Sequence, residues 1–340
     1  MNLFISNYYN KTQIINTTGD YNITTGIEKI SMNRHNYKII DLNDYLNKIS
    51  ISFEELCNYV ESEINCVISI QGVILHKNLP LDIKIYQYIV DIHGWKEYID
   101  SCSKYNNLYL LTPYAYCYNI YNYKLNTKVY FLPHCVNYNV EFNNNPKKKI
   151  LISGRGVKNI TRYPMRHKMY QLSIKNNNLE YFKPDHSYRV NLNDIPNITS
   201  GQKFINLLNS YLVCFCDDLI HYSPYIVCKF FEIMSSGSLL LASLSNSKKY
   251  FEKLGFIENE DYILIDENNM MEKINYVLDE NNIDKINKIR LNGYIKANKF
   301  HNSEFRAKQL NEIMLNSEHV KKYNDGIGGT EYYLVDNFIN

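Results

Sequence analysis

The feature that most constrains this chain is a recurrence of short, nearly unbroken apolar runs: YKIID at 37–41, CVISI at 66–70, YQYIVDIH at 86–93, LYLLTPYA at 108–115 and KVYFLPH at 128–134. Runs this short and this continuous suit strands covered on both faces, because a strand with one wet face alternates apolar and polar residues. Between them lie stretches with helical spacing, for instance Phe53, Leu56, Cys57 and Val60. Strand and helix in alternation predict a parallel α/β sheet. The pattern pauses at NYNVEFNNNPKKK, residues 137–149, and restarts with KILISG at 149–154, YLVCFC at 211–216, SLLLAS at 238–243 and YILID at 262–266. Helical segments at 202–209, 246–254 and 269–280 separate these later runs. Two doubly wound, Rossmann-like domains are expected, an N-terminal one over 1–142 and a C-terminal one over 143–316, with the carboxyl ends of both sheets facing one cleft. After residue 282 the spacing turns helical, and Ser303 followed by Glu304 favours a helix start. The last stretch, 317–340, carries Gly326, Gly328 and Gly329 and reads as a surface tail packing back on the N-terminal domain.

Composition narrows the class. A chain of 340 residues suits two cores better than one. Lys and Arg total 37 against 35 for Asp and Glu, with neither sign gathered into a long block, so no nucleic-acid stripe or membrane-binding face is expected. The basic knot PKKK at 146–149 reads as solvated linker. Among eight cysteines the one close pair, Cys214 and Cys216, has no second pair at zinc spacing, which favours buried thiols in a reducing compartment over a metal site. The N-terminus lacks a basic region followed by an apolar segment, and no apolar run approaches about 18 residues, so a cytoplasmic protein without a transmembrane segment is expected.

Three constellations could carry chemistry. The first is YSPYIVCKFFEIMSSGSLLLAS at 222–243, where Ser223 and Pro224 read as cap and first turn of a helix that stops at Ser235-Ser236-Gly237. Ile226, Val227, Phe230, Ile233 and Met234 form its apolar stripe, and Lys229 and Glu232 are neighbours three positions apart. Two readings stand for that pair: a surface ion pair, or a carboxylate accepting from a ribose diol beside an ammonium meeting phosphate. The second is KILISGRGVKNITRYPMR, where a strand ends at Ser153, Gly154 and Gly156 flank Arg155, and Lys158, Arg162 and Arg166 follow. Glycines admit close approach of phosphate to backbone amides, and guanidinium groups grip it in bidentate fashion; a plain turn is the alternative. Neither the dinucleotide fingerprint nor the P-loop spacing is present. The third is VDIHGW at 90–95, where Asp91 and His93 share a face if the strand persists. A carboxylate orienting an imidazole base and a hydrogen-bonded structural histidine both fit.

KVYFLPH, the polar spacer, KKKILISGR, RYPMRHKM, VCKFFEIMSSGSLLLAS and LGFIENEDYILID together resemble, in order and spacing, glycosyltransferases of the GT-B fold, specifically the spore-protein CgeB and YkvP-like group (glycosyl transferases group 1-like). The resemblance covers about residues 85–300, and residues 1–60 carry no matching motif. It implies a nucleotide-diphosphate sugar donor of the UDP type held by the C-terminal domain, an acceptor (glycan, protein or small molecule) held by the N-terminal one, and hexosyl or N-acetylhexosaminyl transfer with no essential metal or other cofactor. Glu232 falls where the family's ribose-binding Glu stands, Gly154-Arg155 where a Gly-Arg reaches the donor pyrophosphate, and Lys229 near the same phosphates. Arg162, Arg166, Tyr222, Ser223, Ser236 and Gly237 complete the implied donor site, with His93 and Asp91 as the implied catalytic groups. One departure stands out: many retaining members carry a second glutamate eight positions before the ribose-binding one, and Pro224 occupies that place. The alternatives are a non-catalytic relative serving as scaffold or subunit, which has no need of a phosphate site, and a nucleotide-sugar epimerase, which needs acid–base carboxylates and no acceptor.

Overall fold

The computed structural model describes residues 2–6, 37–41, 53–61, 63–70, 80, 82–89, 106–113, 128–137, 140–154, 160–182, 202–218, 225–245, 247–324 and 331–335. In chain order the elements are β1 (Asn2–Ser6), β2 (Tyr37–Asp41), α1 (Phe53–Val60), β3 (Cys66–Ile70), β4 (Lys84–Tyr88), β5 (Leu108–Thr112) and β6 (Val129–Phe131). Then come β7 (Lys147–Ser153), α2 (Pro164–Ser173), β8 (Leu179–Phe182), α3 (Gln202–Asn209), β9 (Tyr211–Asp217), α4 (Cys228–Ser235) and β10 (Leu239–Ser243). The chain finishes with α5 (Lys248–Lys253), β11 (Ile263–Leu264), α6 (Met270–Leu278), α7 (Ile283–Phe300), α8 (Ser303–Leu315), β12 (Val320–Tyr323) and β13 (Tyr332–Val335).

Two compact units result, one from 1–135 with 303–338 and one from 136–302. The first is built on a sheet ordered β12-β13-β6-β5-β4-β3-β1-β2 among the described residues, parallel throughout except for the β12–β13 hairpin. The sequence-based division fell at 142/143 and 316/317, whereas the units change at 135/136 and 302/303. Helix α8 accounts for the second difference: Ala307, Leu310, Ile313 and Met314 bury in one core with Tyr86, Tyr88, Leu111 and Tyr130 of the first unit. The glycine-bearing tail contributes a strand as well, β13, which pairs with β6 through Tyr333 and Tyr130.

The second unit is a parallel sheet ordered β11-β10-β9-β7-β8. Every residue of β9 and β10 is buried, as expected of strands covered on both faces. From β7 the chain steps outward to β8, then returns to the other side of β7 to lay down β9, β10 and β11. The direction of winding therefore reverses between β7 and β9, and ligands of doubly wound sheets bind outside the carboxyl ends of strands at such a reversal. The residues there are Ser153, which ends β7, with Gly154 after it, and Asp217, which ends β9, with Asp218 after it.

Helix α4 begins later than the sequence predicts. Its cap is Val227, in extended backbone (φ −66°, ψ 149°), with Tyr225 in an isolated bridge, so Ser223 and Pro224 do not start it. The β-branched pair Ile226-Val227 prefers the extended conformation it adopts. The helix ends as expected at Gly237, whose φ of +84° suits glycine and whose missing side chain admits the Phe142 ring, 3.0 Å from where a Cβ would stand. Arg290 of α7 closes this end: buried, it donates from Nε to the Gly237 carbonyl (3.0 Å), from Nη2 to the Asn143 carbonyl (2.9 Å) and from Nη1 to Asn287 Oδ1 (2.6 Å). Its guanidinium carbon lies 4.8 Å from the Phe142 ring centroid. The segment entering the second unit is thereby fastened to α4 and α7, helped by Tyr294 Oη on the Val140 carbonyl (2.9 Å).

Candidate functional site

Strand β7 delivers Ser153 and Gly154 to the point of reversal, and Gly154 turns there with φ +133°, outside the range that side chains tolerate well. A Cβ on Gly154 would lie 2.9 Å from Arg166 Nη1 and 3.0 Å from Lys229 Nζ. Two cations from different helices, α2 and α4, thus converge on the bare face of one glycine. Lys229 reaches it by donating from Nζ to the Ser153 carbonyl at 2.9 Å. Beside that carbonyl the buried Ser153 hydroxyl has no hydrogen-bond partner among the described residues. Burial first, and then the neighbouring Arg166, push the Lys229 ammonium below its ordinary value.

Arg166 is buried and anchored at three points by Asp217, the last residue of β9. Oδ1 accepts from Nε (2.9 Å) and Nη2 (2.5 Å), and Oδ2 accepts from the Arg166 backbone N–H (3.0 Å). The Tyr163 ring stacks on the guanidinium, 3.9 Å from its carbon. The sequence reading missed Asp217. Its signal was present in YLVCFCDD, where two carboxylates close the most apolar run of the second half. The second of them, Asp218, accepts from the Ser245 N–H and hydroxyl and from the Ser247 N–H, holding the loop that follows β10.

Glu232 stands on the same helix as Lys229, three residues on, and is only 5% exposed, which rules out the surface ion pair. Among the described residues its carboxylate has no hydrogen-bond partner. Burial pushes this carboxyl from its ordinary 4.5 up to about 7, against the opposing pull of Lys229. The folded chain then keeps a proton on Glu232 at pH values where the unfolded chain has released it. The contribution to stability is therefore full below about pH 4.5 and is lost as pH rises to about 7, a span worth about 3 kcal/mol. Glu232→Gln should flatten that part of the profile. Melting temperatures of both proteins between pH 4 and about 8 check it, and parallel curves would refute the assignment.

The remaining expected donor residues divide. Arg162 is exposed at the start of the α2 turn. Ser236 donates from Oγ to the Ile233 carbonyl, and Gly237 is taken up by Phe142 and Arg290, so both serve the end of α4. The structure therefore brings together Gly154, Arg166 and Lys229, with Glu232 one turn along from Lys229. Asp91, His93, Arg155, Tyr222 and Ser223 lie outside the described residues.

No protein-family model matches the chain, and no curated protein matches it. Solved structures do. Sucrose-phosphate synthase from Thermosynechococcus elongatus aligns with a TM-score of 0.55 at 11% identity, over 92% of this chain and 98% of that one. A glycosyltransferase from Rickettsia africae ESF-5 aligns with a TM-score of 0.52 at 13% identity, over 92% and 97%. At such identities the likeness is one of fold, and it bears out the expected class: mixed α/β, Rossmann-like in both halves, of the GT-B kind.

Proposed function

We propose that the chain is a cytoplasmic glycosyltransferase that takes a hexosyl or N-acetylhexosaminyl group from a nucleotide-diphosphate sugar, of the UDP type, and gives it to a glycan, protein or small-molecule acceptor. The bond between the anomeric carbon and the diphosphate breaks, the acceptor atom bonds to that carbon and loses its proton, and the nucleoside diphosphate leaves. The observation that carries this reading is the convergence of Arg166 and Lys229 on Gly154 at the reversal point of a doubly wound sheet. Paired fixed cations there stabilise charge as it develops on the leaving diphosphate, which is the task a divalent metal performs in other enzymes, so transfer without an essential metal is part of the proposal. Glu232 is assigned to the ribose hydroxyls, since a buried carboxylate without a protein donor suits a sugar diol. Arg155, Arg162, Tyr222 and Ser223 are assigned to the donor, and His93 with Asp91 to the reacting centre. The likeness in fold to a glycosyltransferase and a sucrose-phosphate synthase supports the reaction class.

The test is release of nucleoside diphosphate from a panel of nucleotide sugars, with and without EDTA and with a pool of candidate acceptors. Acceptor-dependent release that survives EDTA is expected, and Lys229→Ala should lower kcat/KM about 10- to 100-fold, the usual cost of one charged hydrogen bond. Turnover that needs no acceptor, or an unaffected Lys229→Ala enzyme, would count against the assignment.

A further inference from the structure

We propose that Tyr181 of β8 is a positioning residue of this site, holding the Gly154 carbonyl toward β8 so that the glycine keeps its bare Cα face to Lys229 and sets no free carbonyl oxygen against a bound phosphate. The inference rests on reading that face as the seat of a phosphate. Tyr181 pairs with Ile152 in the β7–β8 ladder and packs against the core that holds Ile150, Ile152, Met165 and Met169. Gly154 lies two residues beyond Ile152, past the last ladder pair, Ser153 with Phe182. The half-buried Tyr181 leans along the strand to meet it, and its Oη donates to the Gly154 carbonyl at 2.9 Å. The Tyr170 ring of α2 stands edge-on to the Tyr181 ring, with centroids 4.8 Å apart, and packs the phenol in place.

Two properties of the strand end give this bond its weight. Glycine is open to several backbone conformations, so the turn at φ +133° needs anchors. The Gly154 N–H supplies a long one, 3.4 Å to the Phe182 carbonyl, and the Tyr181 hydroxyl supplies the short one. The second property is electrostatic. A strand that leaves its ladder carries carbonyl oxygens whose partial negative charge opposes an anion. Here both are engaged, the Ser153 carbonyl by Lys229 Nζ at 2.9 Å and the Gly154 carbonyl by Tyr181 Oη at 2.9 Å. Lys229 brings positive charge as well, and Tyr181 brings none, so the tyrosine acts through the direction of the glycine carbonyl alone. A seat oriented before its ligand arrives binds phosphate more tightly and leaves contacts to a nucleoside base untouched.

The experiment titrates the full chain and its variants with inorganic pyrophosphate, with nucleoside diphosphates and with the corresponding nucleosides. Tyr181→Phe keeps the ring, its packing against Tyr170 and its preference for a strand, and removes only the hydroxyl, so the chain should fold. It should weaken pyrophosphate and nucleoside diphosphate about three- to tenfold, the effect of one neutral hydrogen bond, while nucleoside affinity stays unchanged. Tyr170→Phe removes the hydroxyl of the neighbouring ring and should leave all three affinities as they are. Unchanged pyrophosphate affinity in Tyr181→Phe overturns the proposal. So does an equal loss in Tyr170→Phe, or an equal loss for nucleoside and pyrophosphate, since either marks packing alone. A wild-type chain that binds no pyrophosphate overturns it too. If Lys229→Ala loses pyrophosphate and Tyr181→Phe does not, the phosphate seat stands and the positioning role falls. Pyrophosphate binding that depends on Tyr181, in a chain that binds no nucleotide, supports the positioning role and removes the donor assignment, so the two fail separately.

Discussion

Gly154→Ala is expected to abolish binding of nucleoside diphosphate and pyrophosphate while leaving a folded protein. Two effects act together. A methyl group at this position would lie 2.9 Å from Arg166 Nη1, 3.0 Å from Lys229 Nζ and 3.2 Å from Arg166 Cζ, filling the space where the cations converge. Neither cation can withdraw cheaply, since Arg166 is bonded to Asp217 and Lys229 to the Ser153 carbonyl. The backbone at φ +133° also disfavours any side chain, at a cost of about 1–3 kcal/mol. A titration with pyrophosphate beside a urea denaturation of the same sample separates the two losses. Wild-type affinity in Gly154→Ala would mean that the anion seat is elsewhere.

The largest loss of stability is expected from Arg290→Met, far from the chemistry. Burial pushes this guanidinium down only to about 10, so it stays charged at neutral pH, and it meets that charge with carbonyl oxygens and the Phe142 ring instead of a carboxylate. Methionine fills similar space but leaves the Gly237 and Asn143 carbonyls without their donor. A buried group left unsatisfied costs about 1–3 kcal/mol, so the two carbonyls together should lower stability by about 2–6 kcal/mol. Chemical denaturation followed by far-UV circular dichroism checks this, and the transition of the second unit should move to lower denaturant. A midpoint equal to that of wild type would show that the clasp contributes nothing.

These two residues also mark how far the sequence alone could be read. The parallel α/β character was legible because β9 and β10 are apolar along their whole length, and only strands covered on both faces read that way. Gly154, Lys229 and Glu232 were legible for a related reason: each breaks the pattern around it, as a glycine at a strand end or a charge within an apolar helix. Asp217 was not, because its partner Arg166 lies 51 residues earlier and only the pairing of β7 with β9 brings them together. Arg290 looked like one more charge on a polar helix, yet it packs against the segment at Asn143, 147 residues away. The extended start of α4 escaped for the opposite reason. Ser223-Pro224 is a strong local signal, and the β-branched Ile226-Val227 pair overrode it. The C-terminal tail was expected as a surface segment packing back on the N-terminal domain, and β13, through residues beyond the three glycines, joins the sheet of the first unit.

Calorimetric titration of the purified chain with UDP, GDP, CDP and dTDP at low ionic strength, in the presence of EDTA, tests the proposed donor site most directly. Saturable binding of one nucleotide family is expected, weakened by salt and reduced about 10- to 100-fold in Lys229→Ala. No heat of binding with any of the four, in a sample shown to be folded, would contradict the claim that the carboxyl ends of β7 and β9 hold a nucleoside diphosphate.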